Sequence, residues 1–263
     1  MRLKMKLLLI IIIVNVSNIT SQNLVLNPSF EEFESCPNSI SQLTNCSSIS
    51  TPNSATTDYY NSCSNNYSSS TPINAAGLQT PRTGNAYIGI LTYQKNTHYT
   101  ELVQCKLKEP LKANRYYKVS YYVSLSEISK FYHKSLGAYF SKDSLTSKHF
   151  DFRVQNKKYL IKEMNTELLS NTDTWVLISS LYKAKGSEKF LILGNVYGPL
   201  WKGNFLPADV SCVCCSQTTA ELCLWKYQIQ FACNVLPNVE HCVGLQLLSS
   251  QNWMWAKSCQ IPH

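Results

Sequence analysis

The chain has 263 residues, of which 44% are hydrophobic and 15% charged, and carries a formal net charge of +8. The apolar share suffices for a core, whereas the charged share is low beside the usual quarter, so Ser, Thr, Asn and Tyr must cover much of the surface. Arg2, Lys4 and Lys6 crowd the N-terminus and the other lysines are scattered with no basic stripe of interleaved aromatics, which excludes a nucleic-acid groove and leaves weak affinity for an anionic surface.

Behind those three charges, residues 7–14 form an unbroken apolar run, and residues 15–22 are polar with small side chains near Ser21, the layout of a cleaved signal peptide. The run is too short to cross a hydrocarbon layer of about 30 Å as a helix, which takes about 20 apolar residues. No later stretch approaches that length. Residues 1–21 are therefore expected to be removed, leaving a secreted or surface-attached protein with no transmembrane span.

Residues 23–32, NLVLNPSFEE, are expected to form an opening strand that turns at Asn27-Pro28 and ends in the acidic pair Glu31-Glu32. Ser, Thr and Asn dominate residues 35–71, a stretch that needs a staple to be ordered, and an exported chain can use a disulfide for it. Cys36, Cys46 and Cys63 lie inside it, with Cys36–Cys63 and Cys46–Cys63 as the candidate bridges and Cys105 as the odd partner or a buried thiol.

Residues 116–125 place Tyr117, Val119, Tyr121, Val123 and Leu125 on one face, the period of a half-buried strand. Residues 85–92, 102–107, 136–141, 175–182 and 190–194 are similar short runs rich in β-branched and aromatic side chains. Turn-forming clusters at residues 80–84, 109–110, 112–114 and 185–187 separate them. Many short strands with such punctuation predict an all-β jelly-roll sandwich over residues 22–199. Only residues 159–169 have any helical character, and their apolar spacing is ragged.

Residues 200–263 change composition. They hold seven cysteines (Cys212, Cys214, Cys215, Cys223, Cys233, Cys242, Cys259), four of the five tryptophans and, of the sixteen tyrosines, only Tyr227. With neither strand alternation nor regular cysteine spacing, they are expected to be an irregular tail. A cysteine-rich module, a degenerate extension and residues read off the ancestral frame are the three readings, the last two together preferred.

Taken in order, NLVLNPSFEE, the Cys36-Pro37 pair, DYYNSC at residues 58–63, GNAYIGI at residues 84–90 and YYKVSYYVSLS at residues 116–126 resemble the N-terminal domain of secreted Bacteroidetes surface proteins. Those proteins are grouped with the outer-membrane-protein-A family or with gliding and type IX secretion proteins. Residues 136–141, Trp175 and Gly194-Asn195 extend the likeness over roughly residues 23–197. The chain departs from the pattern at Cys46, which no aromatic follows, and at the closing strand, matched only by residues 208–211. The peptidoglycan-binding domain of longer members is not recognisable.

The resemblance implies a galactose-binding-like jelly roll, the fold of many carbohydrate-binding modules. It also implies a structural calcium, with Glu31 and Asp209 as ligands and backbone carbonyls near Gly84-Asn85 completing a shell of six to eight oxygens. Sugar binding requires aromatic platforms with a few polar partners, and Tyr59, Tyr60, Tyr93 and Tyr99, in or beside expected loops, are the candidates. Catalysis finds little support: His98, His133, His149, His241 and His263 show no metal-ligand spacing, and neither a G-x-S-x-G elbow nor an H-E-x-x-H helix is present. The expected function is a non-enzymatic module for glycan or cell-envelope polysaccharide. A structural or adhesive module that binds another envelope protein is the alternative. An enzyme stands third and would need a cleft with two carboxylates about 5–10 Å apart.

Overall fold

The computed structural model describes residues 22–94, 97, 99–133, 136–148, 157–161 and 171–196, together with three strands beyond residue 200. In chain order the strands are β1 (Ile49–Ser50), β2 (Asp58–Asn61), β3 (Ile73–Asn74), β4 (Gly77–Leu78), β5 (Ala86–Gln94), β6 (Leu102–Lys106), β7 (Tyr116–Leu125), β8 (Phe131–His133), β9 (Gly137–Ser141), β10 (Leu160–Ile161), β11 (Val176–Lys183), β12 (Phe190–Gly194), β13 (Phe205–Pro207), β14 (Leu222–Gln228) and β15 (Asn234–Val235). The helical content of the described residues is three short 3-10 turns, at Leu43–Asn45, Tyr67–Ser69 and Lys157–Tyr159. The described residues are all-β, and no helix among them is long and apolar enough to cross a membrane.

Two antiparallel sheets carry the architecture. One runs β1-β6-β12-β9-β10 and the other β11-β7-β14-β5-β2, with β15 also on β7; β3–β4 and β8–β13 are separate pairs. Successive long strands change sheet: β5 lies in the second, β6 in the first, β7 in the second and β9 in the first. Side chains from both sheets meet in one apolar cluster, including Ile88, Tyr121 and Val123 from the second sheet and Val103, Phe140 and Leu191 from the first. The rings of Phe140 on β9 and Tyr182 on β11 lie 4.4 Å apart across that core.

The alternation in β7 is realised in full, since Tyr117, Val119, Tyr121, Val123 and Leu125 are all buried. Its register with β11 pairs Val176 with Val123 and Tyr182 with Tyr117, so period two in both strands directs apolar side chains to the same side.

One expectation is corrected, and two others meet the structure over a few residues only. Residues 23–32 do not form a strand: they touch β6 through a single bridge, Val25 with Leu107, and through two backbone bonds, Leu26 N to Lys106 O and Lys108 N to Leu24 O. The expected turn is present, with the Phe30 amide donating to Asn27 O and both residues at left-handed φ (49° and 65°), and it stops pairing because Pro28 has no N–H to offer. Buried Asn27 locks the turn by accepting from Glu32 N and donating to the carbonyls of Glu32 and Ser47. Where residues 159–169 begin, the chain forms the end of a 3-10 turn and then β10, and residues 162–170 lie outside the described residues. Beyond residue 200 the chain is not wholly irregular: β14 sits between β5 and β7, pairing Trp225 with Ile90 on one side and with Leu125 on the other. The signal-peptide segment and the rest of residues 200–263 lie outside the description.

Of the two candidate bridges the structure has Cys36–Cys63, and Cys46 and Cys105 are buried free thiols. Polar side chains hold the stapled segment internally. Asn66 accepts from Ser68 N and donates to Asn38 O, and Asn61 accepts from Cys63 N. Such local bonds suit Asn and Ser to turns.

Candidate binding face

Strand β2, with sequence DYYN, pairs with β5 so that Asp58 faces Gly89 and Tyr60 faces Tyr87. Tyr59 points into the main core, where its hydroxyl donates to Phe30 O at 2.8 Å and accepts from Asn61 Nδ2. Tyr60 points to the outer face of the sheet, in a small cluster with Ala76 and Tyr87. Both tyrosines are fully buried, so neither presents a ring to a sugar; their expected place at a loop is corrected. Period two in four residues is easily lost inside a Ser/Asn-rich stretch. The β3–β4 hairpin then covers the part of this outer face around Tyr87, since Ser126 donates to Ala76 O, Ser124 to Gln79 Oε1 and Asn74 to the Tyr87 hydroxyl.

At one end of the face two carboxylates influence each other. Glu101 is only 5% exposed. It accepts from Leu91 N at 2.7 Å and from the Tyr99 hydroxyl at 2.8 Å. The same hydroxyl lies 2.9 Å from Thr56 Oγ1 and 3.0 Å from Thr56 N. Asp58, half-buried, accepts from Tyr60 OH and Ser41 N, both at 2.7 Å. Burial, with the charge of Asp58 adding to it, pushes the Glu101 carboxyl up to about 7, and burial raises Asp58 as well. Tyr99 is pushed up to about 12, chiefly by burial and then by Glu101. Of the four candidate tyrosines, Tyr60 and Tyr99 thus meet on this acidic pair, while half-buried Tyr93 packs on the main core.

From the acidic end an aromatic row crosses the sheet. Tyr60 and Tyr87 have ring centroids 5.3 Å apart, and Trp175 stands edge-on to Tyr87 at 5.7 Å. The half-buried indole is pinned by its Nε1–H, which donates to Thr80 O at 2.9 Å. The Arg82 guanidinium lies 3.8 Å over the Tyr122 ring, an arrangement that holds a cation against a π face. Leu177, directly opposite Tyr122 in the register, extends the patch and is 45% exposed. Trp175, Tyr122, Arg82, Asp58 and Glu101 were not among the residues that the sequence singled out for binding. One signal was available: Trp175 is the tryptophan that does not share the composition of residues 200–263.

Of the ligands implied for calcium, Glu31 lies against the Gly84-Asn85 turn. Glu31 Oε1 accepts from Asn85 N at 2.9 Å and Ala86 N at 3.1 Å, and Oε2 lies 3.4 Å from Asn85 Nδ2. The Asn85 carbonyl accepts from Ser62 N and Thr71 Oγ1. Asp209 lies outside the described residues, among which no group of three or more His, Cys, Asp or Glu side chains is placed to hold a metal. Glu31 belongs to a pattern in which acids receive backbone amides: Glu101 takes Leu91 N, Glu127 takes Leu78 N and Glu188 takes Lys185 N. In a chain poor in charge, these carboxylates fasten turns to strands.

No family model matches the chain, and no curated protein is similar to it.

Proposed function

We propose that the protein is an exported, non-catalytic module that binds a glycan or cell-envelope polysaccharide on the outer face of the β11-β7-β14-β5-β2 sheet. The observation that carries the reading is Trp175: a half-buried indole immobilised by Tyr87 and Thr80 O just ahead of Leu177, which pairs with Tyr122 under Arg82. A rigid aromatic offers its apolar face to the C–H face of a sugar ring, and the surrounding polar groups meet the ring's hydroxyls. Alternation of successive strands between two sheets with a common core supports the jelly-roll form of that fold. Export is supported by the leader pattern and by a disulfide, which persists in oxidising compartments.

The described part of the calcium shell that the resemblance implies is engaged in hydrogen bonds. Glu31 Oε1 accepts two amides and the Asn85 carbonyl two donors, while Asp209, the other implied side-chain ligand, lies outside the described residues. No part of the proposal runs through a metal.

Retention on immobilised polysaccharides tests the proposal. The folded protein is expected to bind at least one, and Trp175→Ala to lose that binding while still melting cooperatively. Absence of binding to every polysaccharide by folded protein overturns the reading. A second reading, an adhesive module with a protein partner, is favoured by the exposed leucines of β11, Leu177 at 45% and Leu181 at 56%. Capture from envelope extract that survives Trp175→Ala but fails with Leu177→Asp and Leu181→Asp would select it.

A further inference from the structure

A concave feature lies where the two sheets end beside each other. Strand β10 closes one sheet, β11 closes the other, and a groove of about 320 Å³ runs between them. Its size falls at the lower end of ligand sites. Leu160 and Leu181 give the groove apolar walls, Ser180 a hydroxyl, and Lys158, Lys183 and Lys185 three ammonium groups on exposed side chains. Two of the ammoniums are steadied by aromatic faces, Lys158 at 4.9 Å from the Tyr159 centroid and Lys183 at 5.6 Å from that of Tyr116.

The floor is built on a buried acid. Tyr182, which lines the groove, donates to Glu188 Oε1 at 2.7 Å, and the backbone amide of Lys185 donates to the same oxygen at 2.6 Å. Glu188 is fully buried and its Oε2 has no hydrogen-bond partner. The carboxylate therefore holds the Lys185 turn against β11 from inside, while the lysines face out.

We infer that this groove binds an anionic saccharide, whose carboxylate or sulfate groups meet Lys158, Lys183 and Lys185 while the ring's C–H face rests on Leu160 and Leu181. Three clustered ammoniums favour a ligand that carries anionic groups over a neutral sugar, and a small inorganic anion leaves the leucines uncovered. The site is distinct from Trp175, which precedes β11 at its opposite end, roughly 17 Å from Ser180 and 26 Å from Lys183 along the extended strand. It does not depend on the reading of the Trp175 face.

The test measures binding of the full folded chain to polygalacturonate, dextran sulfate and neutral dextran at several salt concentrations. The protein is expected to bind a charged polymer over dextran, with affinity falling as salt rises. A Lys158→Gln/Lys183→Gln/Lys185→Gln variant should lose about tenfold in affinity, as three exposed charge contacts would supply. Preference between the two charged polymers identifies the anion. As a control of equal charge, Lys106→Gln/Lys108→Gln/Lys148→Gln alters exposed lysines away from the groove and should bind as the parent does. The inference is overturned if neither charged polymer binds, if dextran binds equally well, or if both triple variants lose the same affinity. Should the groove triple variant melt early, Lys183→Gln alone is expected to give a two- to threefold loss, and parental affinity there overturns the site. Trp175→Ala should retain polyanion binding, so failure of either site can be told from failure of the other.

Discussion

The carboxylate of Glu31 occupies the place where a side chain on Gly84 would stand: a Cβ built on Gly84 would collide with Glu31 Oε1. Gly84 also has a left-handed φ of 66°, so the turn requires glycine for both its backbone and its space. That vacancy lets Glu31 reach the amides of Asn85 and Ala86 where β5 begins. Gly77, at φ 107°, gives way to Glu127 in the same manner on the β3–β4 hairpin.

Glu31→Ala is therefore expected to destabilise the fold by about 2–3 kcal/mol, since it strips a charged acceptor from two amides. Gly84→Ala should cost at least as much, adding backbone strain to the collision. Urea denaturation of both variants measures this. Addition of a chelator to the parent protein is expected to leave the midpoint unchanged, and a marked drop would restore calcium to the account.

The Glu101 carboxyl should make stability fall with rising pH. Burial raises its folded value from the ordinary 4.5 to about 7, so the folded state holds a proton that the unfolded state releases. Its stabilising contribution is fully present below about pH 4.5, is lost progressively up to about pH 7, and amounts to about 3 kcal/mol. Glu101→Gln keeps the shape and abolishes the titration. The difference in unfolding free energy between parent and variant, followed from pH 4 to 8, should show this slope.

Trp175→Ala is expected to remove an edge contact and one hydrogen bond at a half-exposed site, for about 1–2 kcal/mol. Trp175→Phe should recover part of the polysaccharide binding without the Nε1 bond. A chemical melt alongside the binding assay separates loss of platform from loss of fold.

Reduction of Cys36–Cys63, which are 27 residues apart in sequence, should cost about 3.5 kcal/mol through the freed loop of the unfolded chain. Cys46 and Cys105 are expected to resist alkylation until the protein unfolds, because burial pushes both thiols up and keeps reagent out. Mass-spectrometric mapping of alkylated peptides in native and denaturing buffer reads both outcomes.

What the sequence determined alone was local and periodic. The inward set of β7, the run 190–194 that becomes β12, and the turn at Asn27-Pro28 follow from side-chain spacing and backbone chemistry that each segment carries with it. The meeting of Glu31 with Asn85 was also anticipated, although as part of a calcium shell and not as a carboxylate holding amides. Tertiary structure decided which partner each group found. Tyr59 and Tyr60 look exposed in a polar stretch, and only the cover of the β3–β4 hairpin and the register with β5 bury them. Asp58 and Glu101 are far apart along the chain, so their mutual influence, the row from Tyr60 to Trp175 and the lysine groove between β10 and β11 could not be read from spacing. Strand period is set by the residues themselves, whereas burial, charge coupling and surface shape are set by whichever distant segments the fold brings alongside.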